Sequence, residues 1–280
     1  MNSVAMHRFS LLALALLCAT HPLFSQDARV LIIGLDGLRS DCLEAAETPA
    51  LDGLIENGVF SPDALNNDIT YSGPGWSAMV CGAWSEAHGV TNNDFTGSNY
   101  AAYPSFLERL ETINPDLNTY SICHWYPIND YIQGDVVDES INTTSDQAVA
   151  DAAGAILTGG NPHAMFLHFD DVDLAGHSYG FSPNVPAYID AIETVDAHVA
   201  EVLSALTSRP NYAEENWAHP HLHRPRWHWL RARRGIHRRA DHLFQCQRAL
   251  GRSRTRGQRH PRNSSPTREL CGTRRCRTAI

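Results

Sequence analysis

Three groups of residues in this chain are of kinds, and at spacings, that do chemistry. Asp36 ends the apolar run Val30 to Leu35, VLIIGL. Ligands of open α/β sheets collect outside the carboxyl ends of the strands, so an aspartate there is well sited to hold a metal. Ser72 opens Ser72-Gly73-Pro74-Gly75-Trp76, ahead of the apolar segment Ser77 to Cys81, and this pattern places it at the N-terminus of a helix. Unpaired N–H groups and the positive end of the helix dipole stabilise an alkoxide and an anionic substrate there. Asp173 and His177 stand four apart across a glycine. At that distance a carboxylate and an imidazole can grip one zinc-like ion, in a tight turn or one helical turn. Each group also has a plainer reading: a turn aspartate, a capping serine and two residues of a surface loop.

The elements that must position these groups follow from hydrophobic period and punctuation. Val30 to Leu35 is short, rich in Val and Ile and bounded by a breaker, as expected of a strand buried on both faces. Thr48-Pro49 supplies an N-cap and a first-position proline for a short helix with Leu51, Leu54 and Ile55 on one face, closed at Gly58. Ser105 to Leu110 reads as a helix, Thr119 to Trp125 as a strand and Ser145 to Leu157 as an alanine-rich helix stopped by Gly159-Gly160. His163 to Phe169 repeats the first pattern, an apolar strand running into Asp170, Asp171 and Asp173. Pro186 to Ser208 carries Ile189, Ile192, Val199, Val202 and Leu206 on one stripe. Strands alternating with helices predict an α/β protein with a mostly parallel sheet covered on both faces.

The net charge of −9 hides a split. Up to Arg209 there are 5 arginines against 27 acids; from Asn211 onward there are 17 arginines against 4 acids. Lysine is absent, which excludes a Walker-type phosphate lysine and a Schiff-base lysine. Residues 1–25 read as a secretory signal, with Arg8 before the apolar run Leu11 to Ala19, a run too short to span a bilayer. The expectation is an exported protein, periplasmic or extracellular, without a stable membrane anchor. Of seven cysteines, Cys42, Cys81 and Cys123 lie in the acidic part; they form no metal knuckle and are read as packing residues or at most one bridge.

Five stretches in order, IGLDGLRSD, TPALDGLIENG, TYSGPGWSAMVCG, EAHGVTNNDF and DLAGHSYG, resemble the type I phosphodiesterase/nucleotide pyrophosphatase family of the alkaline phosphatase superfamily. The resemblance runs from about Arg29 to Arg209. It implies an alkaline-phosphatase-like fold and a site with two divalent ions, expected to be zinc. Asp36 would ligate one ion, with Ser72 as both its ligand and the nucleophile; Asp173 and His177 would bind the second, and Asn93 would hydrogen-bond a phosphoryl oxygen. Thr70 is the runner-up nucleophile. The implied reaction is hydrolysis of a phosphodiester or pyrophosphate bond through a covalent seryl intermediate.

The family pattern also needs a later Asp-His-Gly and a His-Gly. Neither is found: Asp241-His242-Leu243 lacks the glycine and follows no strand, and beyond Trp217 the chain turns rich in His, Arg and Trp. A basic nucleic-acid-binding tail is one explanation. A His/Cys metal module is another, but His219, His221, His223, Cys271 and Cys276 fit no usual zinc spacing. The third is translation in the wrong frame. Back-translating Ala218 to Pro225 and reading one nucleotide later permits Leu-Ile-Leu-Ile-Ser-Thr-Asp-His, and the overlaps that follow permit the glycines of DHGGTG and a later His-Gly-Gly. A single shift after Trp217 thus restores a strand and the three missing ligands, and is the favoured reading.

The expected organisation is a signal peptide over 1–25, a partial catalytic domain over 26–217 with its C-terminal strands lost, and an out-of-frame, disordered Arg-rich tail over 218–280. The expected partner is a small phosphate ester or nucleotide, with no nucleic acid. A phosphomonoesterase or sulfatase on the same fold is the enzymatic alternative, although Gly73 to Ser77 lacks the arginine of a sulfatase pattern. An arginine-rich nucleic-acid-binding protein is the alternative of another class.

Overall fold

The computed structural model describes residues 28–62, 64, 66 and 69–218, with the backbone of 221–223. The expected signal segment and, apart from Ala218 and that short backbone stretch, the expected Arg-rich tail lie outside the described residues.

Strand β1 (Ala28–Leu35) is followed by helices α1 (Ser40–Leu43), α2 (Pro49–Asn57), α3 (Ser72–Cys81), α4 (Ser85–His88) and α5 (Phe106–Ile113). Then come β2 (Thr119–Cys123), a π-helical turn (Ile128–Ile132), β3 (Glu139–Asn142), α6 (Asp146–Gly159), β4 (Ala164–Phe169), α7 (Asp171–Tyr179), α8 (Pro186–Thr207), β5 (Asn216–Ala218) and β6 (His221–His223). All pairings are parallel, in the order β3-β2-β4-β1-β5, with β6 further along the same edge of β1. Parallel neighbours need crossover connections, which the long helices supply.

Alternation along the strands divides the core into two layers. Leu31, Ile33 and Leu35 of β1 and Met165, Leu167 and Phe169 of β4 pack with Val149, Ala153, Ile192, Val199 and Val202 of α6 and α8. The intervening Val30, Ile32, Ala164 and Phe166 pack with Trp76 and Val80 of α3, Leu107 of α5 and Ile128 of the π-helical turn. The sheet is therefore covered on both faces, as the unbroken apolar strands require.

Helix α3 begins at Ser72, the N-terminus read from the sequence; glycine and proline are tolerated in a first turn, whose N–H groups have no intrahelical partner. Two details differ from expectation for local reasons. At α2 the side chain of Thr48 makes no cap bond. Asp196 of α8 accepts the N–H groups of Ala50 and Leu51 instead, at 3.1 and 2.8 Å. Strand β3 has one apolar residue in ESIN and carries no hydrophobic period. Cys42, Cys81 and Cys123 are buried free thiols, in keeping with packing roles.

Candidate active site

Registry at the carboxyl ends of the strands gathers the chemistry. Gly34 and Leu35 pair with His168 and Phe169, and Cys123 pairs with His168, so β1, β4 and β2 end side by side. Asp36, Asp170 and His124 leave the sheet at one rim. The Asp36 N–H donates to the Phe169 carbonyl at 2.9 Å, which continues the β1–β4 ladder into the turn.

Asp36 is fully buried. Its Oδ2 accepts the Trp76 indole N–H at 2.9 Å and lies 3.6 Å from His168 Nε2. Trp76 lies one turn after Ser72 on α3, so the indole couples that helix to the first strand. Gly37 follows with φ +73°, and a Cβ there would stand 2.5 Å from the Cα of Asp173. Only glycine suits this turn. The backbones that carry Asp36 and Asp173 are thereby in contact.

Ser72 is the first residue of α3, and the cap position falls on Tyr71, which makes no side-chain cap bond. The Gly73 N–H donates to Asn93 Oδ1 at 2.7 Å, and a Cβ on Gly73 would meet the Asn92 carbonyl at 2.5 Å. The loop bearing Asn93 lies against the N-terminal turn of α3. It is anchored by Phe95, whose φ of 58° is the sole positive value of a non-glycine among the described residues and whose ring stacks on Tyr131 at 4.7 Å. Asn93 is thus bonded to the residue that follows Ser72. Thr70 lies outside the helix, in the approach to it.

Asp173 and His177 lie on the nine-residue α7, with His177 Nε2 3.2 Å from Asp173 Oδ2. Of the two settings expected, a tight turn or a helical turn, the pair takes the helical one. Asp173 is buried and His177 half-exposed, its ring edge-on to Phe181 at 5.5 Å.

Further groups at this rim were not singled out from sequence. Burial pushes the Asp170 carboxyl up to about 6, with Asp36 and Asp173 adding to the shift and His168 and His124 opposing it. Asp146, at the start of α6, accepts the N–H groups of Asp170 and Asp171 at 2.8 and 3.0 Å and pairs with His124 Nδ1 at 2.8 Å. That hydrogen bond to Asp146 holds the His124 imidazole above its ordinary value. Among the described residues, two sets of side chains could hold a cation: Asp36, His168 and Asp170, and His124, Asp146 and Asp171. In each, the ligand atoms lie within 4.8 Å of one another. A histidine next to the end of an apolar strand was the available signal for His168; nothing local marks Asp146.

Fold and site together define an α/β protein with carboxylates and imidazoles gathered at one rim of a parallel sheet, and the same architecture recurs in known proteins. Murine ectonucleotide pyrophosphatase/phosphodiesterase 5, solved in an inactive form in complex with AMP, superposes with TM-score 0.58 at 18% identity, covering 70% of this chain and 56% of that one. A 2-O GAG sulfatase gives TM-score 0.53 at 14% identity, covering 70% and 57%. These likenesses show the alkaline-phosphatase-like fold.

Residues 30–119 and 99–215 match the model of the type I phosphodiesterase / nucleotide pyrophosphatase family, and the chain belongs to that family. An uncharacterized pyrophosphatase/phosphodiesterase of Schizosaccharomyces pombe is 26% identical over 203 residues, 64% of this chain and 41% of that protein. The bis(5'-adenosyl)-triphosphatase enpp4 of Mus musculus is 27% identical over 175 residues, 56% and 38%. The chain spans less than half the length of these curated relatives.

Proposed function

We propose that this chain carries the N-terminal part of an exported, two-metal hydrolase of phosphodiester or pyrophosphate bonds, with Ser72 as nucleophile. The observation that supports the reading is that one helix is linked to all three residues: Ser72 opens α3, Asn93 is bonded to its first turn, and Trp76 ties the same helix to Asp36. The names of the relatives support a nucleotide or other small phosphate ester as substrate.

Asp36 and Ser72 would hold one divalent ion, Asp173 and His177 the other. The donor set of carboxylate, hydroxyl and imidazole suits a zinc-like ion, and the 3.2 Å spacing of His177 and Asp173 suits two ligands of one shell. Bound ions supply charge neutralisation at the phosphoryl group and lower the pKa of the serine hydroxyl. Ser72 Oγ gives up its proton to solvent and attacks phosphorus, the P–O bond to the leaving group breaks, and the departing oxygen takes a proton from solvent. Water then attacks the seryl phosphate ester and returns Ser72 to its hydroxyl form. The Gly73 N–H fixes Asn93 Oδ1, so the Nδ2 end is the donor to a phosphoryl oxygen. Export rests on the signal-like segment 1–25; among the described residues no helix is long and apolar enough to cross a membrane.

Each ion would have only two of these ligands, and the strand beside β1 is where the remainder belongs. Strand β6 runs parallel to β1, with His223 paired to Leu35, the residue directly before Asp36. In the reading shifted by one nucleotide the aspartate of DHGGTG stands at position 224. This coincidence supports a frameshift after Trp217, with 26–217 as partial catalytic domain and 218–280 as out-of-frame tail. The test is the DNA across codons 210–250, followed by assay of the frame-restored protein on a nitrophenyl phosphodiester. A stop codon soon after codon 217 in the shifted frame would sink the frameshift. Turnover that survives Ser72→Ala would remove Ser72 from its role.

A further inference from the structure

We infer that His168 is a positioning residue that donates from Nε2 to the carboxylates at the strand ends, chiefly Asp36, and that it is not a metal ligand. The inference deepens the site proposed above, and rests on it for the purpose that a fixed Asp36 serves.

Proximity alone would make Asp36, His168 and Asp170 a three-ligand cation site. The surroundings of the ring argue otherwise. His168 is fully buried, and its Nδ1 faces the backbone N–H of Trp125, the donor, at 3.4 Å. An N–H aimed at Nδ1 calls for a lone pair there, which in a neutral imidazole puts the proton on Nε2. A protonated nitrogen has no lone pair for a metal. Nε2 is itself buried without a hydrogen-bond partner, and it stands 3.6 Å from Asp36 Oδ2. That separation is too long for a formed hydrogen bond, but catalytic hydrogen bonds are often long before the site is loaded and tighten on binding.

The Trp76 indole N–H reaches the same Oδ2 at 2.9 Å, and the Trp76 and His168 rings pack edge-to-face at 4.7 Å. Two ring N–H groups, one from α3 and one from β4, thus converge on one oxygen of Asp36. Pinning that oxygen sets the plane of the carboxylate. Partners of this kind orient ligands in metal sites, and their removal typically costs roughly 10–100-fold in metal affinity.

The test uses the full chain labelled with 15N-histidine, and reads the His168 tautomer by NMR before and after zinc is added. The Nε2–H form is expected in both spectra. An Nδ1–H form, or loss of the Nε2 proton on adding zinc, would overturn the inference. Zinc affinity is then measured by chelator competition. His168→Phe is expected to weaken it about 10-fold or more, whereas His168→Gln, which keeps an N–H near the position of Nε2, should restore it to near the parent value. Equal weakening by Phe and Gln, with zinc-induced loss of the tautomer signal in the parent, would mark His168 as a ligand. Asp36→Asn separates the two readings: if it leaves zinc affinity unchanged, the proposed metal site fails, while the tautomer still decides the role of His168.

Discussion

The Tyr188 hydroxyl donates to the Gly37 carbonyl at 2.6 Å, joining α8 to the turn that presents Asp36. The same oxygen accepts the Arg39 N–H at 3.2 Å, and the ring is fully buried. A helix formed late in the chain therefore clamps the backbone directly after the first strand.

Tyr188→Phe removes the clamp and strands a buried carbonyl. The expected cost is about 1–3 kcal/mol, read as a lower urea midpoint at unchanged slope, with the far-ultraviolet spectrum preserved. A midpoint equal to that of the parent would mean that solvent replaces the hydroxyl without loss.

Asn93 is held by the Gly73 N–H at 2.7 Å, which turns its amide nitrogen into a fixed donor. In the frame-restored protein, Asn93→Ala should lower kcat by roughly 10²–10³, while Asn93→Asp, which replaces the donor by a negative charge, should lower it further. Steady-state rates on a nitrophenyl phosphodiester check both. Equal activity of the parent and Asn93→Ala would exclude the amide from the reaction.

The end of the described chain is fastened by Glu215. Its carboxylate accepts both Arg209 Nε and Nη2 at 2.8 Å, is reached by the Trp217 indole at 2.7 Å and lies 3.5 Å from Arg29 Nε of β1. The hydrogen bonds from Arg209, more than any other cause, bring its pKa down from 4.5 to about 2. A folded-state pKa below the unfolded value gives stability that is present above about 4.5 and lost as pH falls toward 2. The difference in urea midpoint between the parent and Glu215→Gln should be widest near neutrality and close progressively below pH 4.5. A difference independent of pH would show that the pair acts through packing alone.

Metal content tests the proposed frameshift and the proposed ligands together. On that proposal, with two ligands for each ion, the 280-residue chain should bind zinc weakly and purify with less than one equivalent, whereas a frame-restored protein should retain two. Elemental analysis after gel filtration gives the answer. Stoichiometric zinc in the 280-residue chain would contradict the incomplete shells.

Much of this architecture was legible in sequence because its strands are buried on both faces. VLIIGL and AMFLHF are apolar runs, the second broken only by His168, and each is followed at once by an aspartate. The stripe on Pro186–Thr207 and the glycine stop of Asp146–Gly159 likewise declare themselves. What escaped depends on partners distant in sequence. Trp76 reads as an ordinary core residue until Asp36, 40 residues earlier, is found at its indole nitrogen. Asp146 resembles any acid of a first helical turn, yet it receives the backbone of Asp170 and Asp171 from another element. The cap expected from Thr48 is supplied by Asp196, 146 residues away from Ala50. Period and local punctuation carry no trace of such pairings.

The place of β1 between β4 and the β5–β6 edge also governs the order in which the sheet can be assembled. It is the first described strand to leave the ribosome, yet its neighbours are β4, which begins at Ala164, and β5, which begins at Asn216. Both of its edges stay unpaired until those later segments have been made, so VLIIGL is an exposed, sticky segment throughout most of synthesis. Because long-range parallel pairing is intrinsically slow, the strand that presents Asp36 is also a segment on which a holding chaperone would act during synthesis.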